Sequence, residues 1–195
     1  MKNIQKYPEY VITLESNEPY SDTDANTEKL FSILSDTETF YGIEDIRNLI
    51  EQGVDLEKKK WYGMNLLHLA TLNGNLEAMK LLVKAGADIT EKTEADVSPM
   101  QIACYFGKTE LVKYLLELGL GCESQLGKES PLCFAAMRNN KETVKLLLLF
   151  GCDPSDCFAS FQELSDFFDG DLGWAPQSVK RTLMARDFSS RAFGV

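Results

Sequence analysis

One histidine, five cysteines and a short acidic loop are the groups in this 195-residue chain best suited to covalent or metal chemistry. A cysteine–histidine nucleophile would need His68 within hydrogen-bond reach of a thiol. Cys104 is the candidate, but it falls at a packing position in an apolar pattern. Cys104, Cys122, Cys133, Cys152 and Cys157 lack the paired spacing of a zinc site. The first four occupy positions that are usually small and buried. All five therefore read as reduced structural thiols, with Cys157 the most exposed. Asp169-Gly170-Asp171 is too short for a calcium loop and reads as a turn. There is no glycine-rich phosphate loop and no Gly-x-Ser-x-Gly elbow. These residues predict no catalytic group, no metal ligand and no cofactor. The enzymatic alternative is a carboxylate pair in the chain ends.

Charge narrows the partner class. The formal net charge is −10, which disfavours nucleic acid and anionic lipid and favours a basic protein partner. No apolar stretch reaches the length of a membrane span. The opening Met1-Lys2-Asn3-Ile4-Gln5-Lys6 lacks a following apolar region of the secretory type. The expectation is a cytoplasmic protein, monomeric when free, that binds another protein.

The positioning elements follow from a repeat. Glycines at 53, 86, 119 and 151 are 33, 33 and 32 residues apart, and each ends a helical phrase such as Met79–Gly86 or Val112–Gly119. A second phrase recurs in register: Asn65-Leu66-Leu67-His68-Leu69-Ala70, Ser98-Pro99-Met100-Gln101-Ile102-Ala103 and Ser130-Pro131-Leu132-Cys133-Phe134-Ala135. Ser98 and Ser130 fit helix N-caps, with Pro99 and Pro131 at the first helical position. Ala70, Ala103 and Ala135 let neighbouring helices approach. Gly74, Gly107 and Asn139 end the first helix of each pair.

The second phrase resembles the ankyrin signature Thr-Pro-Leu-His-x-Ala, and with the period the resemblance covers about residues 27–154. It implies an all-α ankyrin-repeat solenoid of stacked helix pairs, with short β-hairpin fingers and helical caps. Leu66 replaces the proline, and Gln101 and Cys133 replace the histidine. By this resemblance His68 is structural, its ring bonding the neighbouring hairpin. Residues 1–26 form an N-terminal extension with a strand-like Tyr10–Leu14. The repeat units span about 27–54, 55–87, 88–120 and 121–153, the first opened by a helix over Thr27 to Phe40. Residues 155–195 form a cap of two helices, Phe158–Phe168 and Pro176–Met184, followed by a mobile tail from Arg186. The run Lys58-Lys59-Lys60 reads as a solvated finger.

The resemblance also implies where a partner sits: on the fingers and the exposed ends of the first helices. In this register those positions are Trp61, Tyr62 and Met64; Glu94 and Val97; Glu129; and the pairs Leu72–Asn73, Tyr105–Phe106 and Met137–Arg138. Large aromatics, Met and Arg at solvent-facing positions mark interfaces. Trp61, Tyr62, Tyr105 and Phe106 are the expected anchors, with Glu94 and Glu129 at a polar rim. The competing reading folds Trp61 and Phe106 back over their hairpins. Functionally, an inhibitor or immunity-type protein that neutralises a basic toxin or enzyme stands beside an adaptor or host-targeted effector.

Overall fold

The computed structural model describes residues 25–35, 42–121 and 130–193, with side chains to 185 at the C-terminal end. The strand-like Tyr10–Leu14 and the finger residue Glu129 lie outside the described residues. The chain divides into two compact units. One comprises residues up to Asp88 together with Lys92–Ala95; the other comprises Ile89–Glu91 and everything from Asp96.

The first unit holds α1 (Ala25–Ser35), α2 (Ile43–Glu51), α3 (Leu66–Leu72) and α4 (Leu76–Lys84). α1 pairs with α2 and α3 with α4; α1 stacks on α3 and α2 on α4. α3 begins where Asn65 Oδ1 accepts the His68 backbone N–H at 3.1 Å, which satisfies one of the orphan donors of a helix start. Leu66, Leu67 and Leu69 are wholly buried, each contributing about 1.5–3 kcal/mol by leaving water.

The second unit holds α5 (Pro99–Tyr105), α6 (Thr109–Glu117), α7 (Pro131–Met137), α8 (Lys141–Leu149), α9 (Phe161–Phe167) and α10 (Gln177–Phe193). α5 packs on α7 and α6 on α8. Ala103 and Ala135 are fully buried, on the two helices whose close approach needs small side chains. Ser98 and Ser130 cap as their sequence predicts, accepting from the N–H groups of Gln101 and Cys133. The residue three places after Ser98 closes its cap from the other side. Gln101 Oε1 accepts the Ser98 N–H at 2.8 Å. The Cys133 thiol instead donates to the Asp156 carbonyl at 3.1 Å. Histidine's replacements at this register thus still make polar contacts.

The second helix of each pair ends in a left-handed glycine: Gly53, Gly86, Gly119 and Gly151 have φ between 88° and 103°. Asn139 adopts the same region at φ 56°, the substitution for glycine that an Asn side chain tolerates.

The finger of the first unit is a single antiparallel bridge, Lys60 to Met64, around a 3-10 turn at Trp61–Gly63. Among the described residues no longer strand ladder forms. Tyr62 carries a positive φ of 58°, and its carbonyl accepts the Glu94 N–H at 3.0 Å.

Three expectations change. The lysine run is not a wholly solvated finger: Lys59 is exposed, but the Lys60 side chain is buried, ion-paired with Glu28 and 4.6 Å from the centroid of the Phe31 ring. Lys58 lies 3.6 Å from the same carboxylate. Lysine buries its stem readily when its charge is met, and Glu28 on α1 meets it. The C-terminal tail continues as helix to Phe193, because nothing after Met184 is a proline or glycine until Gly194. Finally, Cys152 is disulfide-bonded rather than a reduced thiol, while Cys104, Cys133 and Cys157 are free.

Candidate interaction surface

In the second unit the ends of α5 and α7 bring an aromatic–cation cluster together. The seven-residue length of α5, fixed at one end by Ser98 and Pro99, makes Tyr105 its last residue and Phe106 its C-cap. Gly107 then turns the chain at φ 62°. Asn140, the N-cap of α8, donates its Nδ2 to the carbonyls of Cys104 and Tyr105, both at 2.9 Å. Those carbonyls belong to the last turn of α5, where the helix itself runs out of donors; the Cys104 carbonyl also accepts the Gly107 N–H at 3.2 Å. The backbone under Tyr105 is therefore held by the next helix pair.

The rings pack edge to face. Tyr105 and Phe106 have centroids 5.0 Å apart at 80°, and Tyr105 meets the buried Phe134 at 6.4 Å. Such pairs contribute about 0.5–1.5 kcal/mol beyond burial. Arg138, the C-cap of α7, places its guanidinium carbon 4.9 Å from the Tyr105 ring centroid. Tyr105, Phe106, Met137 and Val97 are half-buried and Arg138 is exposed. Phe134 and Asn140 support the cluster and were missed from sequence. Phe134 is a core residue like many others, and Asn140 acts across a separation of 35 residues.

The first unit treats its expected residues differently. Met64 is only 4% exposed and belongs to the core, so it is withdrawn as a contact residue. It closes the finger bridge, which turns its side chain inward. Trp61 is half-buried with its ring edge-on to Phe31 at 6.1 Å. Asn73 is exposed, and its Nδ2 donates to the Leu34 carbonyl. Leu72 is half-buried, while Tyr62 and Glu94 are exposed. Trp61 and Asn73 thus already serve packing within their own unit.

The titratable groups follow burial. Burial pushes the Cys104 thiol far above the usual thiol range, so it does not supply the thiolate a nucleophile requires. The His68 ring closes on its own helix cap, with Nδ1 2.6 Å from Asn65 Oδ1. Desolvation, then the neighbouring Asp153, raises the Asp156 carboxyl. Among the described residues no group of three or more His, Cys, Asp or Glu side chains is placed to hold a metal ion. No described helix is long and apolar enough to cross a membrane.

The family model for ankyrin repeats, built of three copies, matches residues 37–93 and 89–157. No curated protein matches the sequence.

Proposed function

The chain belongs to the ankyrin-repeat family, a family of protein–protein interaction modules that are typically non-catalytic, and from that premise we propose that it is an inhibitor-type binder. It masks a basic enzyme or toxin, with Tyr105, Phe106, Met137 and Arg138 as the central contacts. The observation that carries this reading is the cluster at the ends of α5 and α7. Two aromatic rings, a methionine and an arginine are partly or fully open to solvent, on a backbone that Asn140 holds in place. Aromatics and arginine dominate binding hot spots because they bring large area at small entropic loss. The net charge of −10 adds attraction toward a basic surface.

The test is affinity capture from the native host with the Tyr105→Ala/Phe106→Ala double variant run in parallel, followed by titration calorimetry on the recovered protein. The expected result is one dominant basic partner whose binding weakens by about 2 kcal/mol or more in the double variant. The variant's thermal melt should stay cooperative. Equal affinity for both proteins would remove this cluster from the contact. A recovered partner of acidic character would end the basic-toxin reading.

A further inference from the structure

We propose that Arg138 receives a carboxylate from the partner: an Asp or Glu side chain set beside an apolar one. This rests on the protein-binding reading of the same cluster and names the chemistry of its central contact.

Arg138, like Lys145 over Trp174, is an exposed cation set on an aromatic ring, and of the two only Arg138 carries a planar fork of donors. Arg47, Lys58, Lys60, Lys80 and Lys141 each have a carboxylate within ion-pair distance. Arg138 has none among the described residues, in a chain with 30 acidic side chains against 20 basic ones. What it has instead is the Tyr105 ring, 4.9 Å from the guanidinium carbon. Stacking on a ring restricts the guanidinium without consuming its N–H groups. The side chain is therefore partly ordered before a partner arrives, and its planar fork stays open to solvent.

The neighbours decide what the fork accepts. The half-buried Tyr105 ring lies beside it, the half-buried Phe106 ring packs on Tyr105, and the half-buried Met137 precedes Arg138 in the chain. An apolar partner residue covering them would exclude water, and in that setting a charge-assisted bidentate pair is at its strongest. A carboxylate with one charge meets the fork's geometry. Polyanions are repelled by the −10 charge of the whole chain. A basic partner surface and one inserted carboxylate are compatible, since the first acts at long range and the second only on contact.

The test pans a random phage-displayed peptide library on the parent protein and on Arg138→Glu. The parent is expected to enrich Asp or Glu next to Leu, Phe or Met, and Arg138→Glu to enrich Lys or Arg at that position. Arg138→Gln should weaken the parent-selected peptide by roughly tenfold or more with an unchanged thermal melt. A consensus without acidic residues, or one that the charge reversal leaves unaltered, overturns the inference. The two readings separate on the Tyr105→Ala/Phe106→Ala variant. Non-acidic peptides that lose binding there leave the surface standing and remove the carboxylate. Peptides that bind it as well as they bind the parent remove both.

Discussion

Asn65 starts α3 with one oxygen and leaves its nitrogen stranded. Its Oδ1 accepts the His68 N–H and sits 2.6 Å from His68 Nδ1, while Nδ2 is buried without a hydrogen-bond partner. A buried donor without an acceptor costs about 1–3 kcal/mol. Ser98 shows that a hydroxyl at this register suffices. Its Oγ accepts from the Gln101 N–H and donates to Gln101 Oε1 at 3.1 Å. Asn65→Ser should keep the cap, keep an oxygen for the ring and delete the stranded amide. The expected outcome is a gain of about 1 kcal/mol, read as a higher urea midpoint at unchanged slope. A loss of stability would mean that the amide fills space the hydroxyl leaves empty.

At the scale of elements, the finger of the first unit depends on one glycine more than the helix ends depend on theirs. A Cβ on Gly63, at φ 73°, would sit 2.7 Å from the backbone nitrogen of Glu94, whose N–H bonds the Tyr62 carbonyl. A Cβ on Gly86, at φ 103°, would meet nothing within 4 Å. Gly86→Ala therefore suffers only the left-handed penalty of about 1–2 kcal/mol. Gly63→Ala adds a backbone clash and should lose a further ~1–3 kcal/mol, compared by chemical denaturation of the two variants. Equal losses would show that the finger backbone yields freely. The same contrast explains what could be read from sequence. Period, caps and helix ends are local, so the left-handed glycines, Ser98, Ser130 and the stacking alanines were legible. Lys60 was not, because a run of three lysines reads as solvated until Glu28, 32 residues earlier, supplies the counter-charge. Met64 was not, because whether a finger residue points inward depends on the turn at Trp61–Gly63. Within the candidate site, the positions of Tyr105 and Phe106 came from register. The stacking of Arg138 on Tyr105 joins two repeats and has no local signature.

For the whole molecule, the surplus of acidic over basic residues and the open guanidinium of Arg138 act on different rates. Net charge works at a distance and biases encounter, and its reach is the Debye length, ~30 Å at 0.01 M salt and ~8 Å at 0.15 M. With a basic partner, raising salt across that range should lower the association rate constant by roughly tenfold or more and change dissociation little. Arg138 acts only after contact, where a desolvated pair sets residence time. Arg138→Gln should therefore raise the dissociation rate by roughly tenfold and leave the salt slope of association in place. Stopped-flow or surface-based kinetics on the captured partner separates the two. A salt-independent association rate would remove the basic partner, because ten uncompensated negative charges cannot be silent toward a cationic surface at low ionic strength. An Arg138→Gln variant changed only in association would make Arg138 a rim charge, and the ring beneath it would then be packing rather than preparation for a partner's carboxylate.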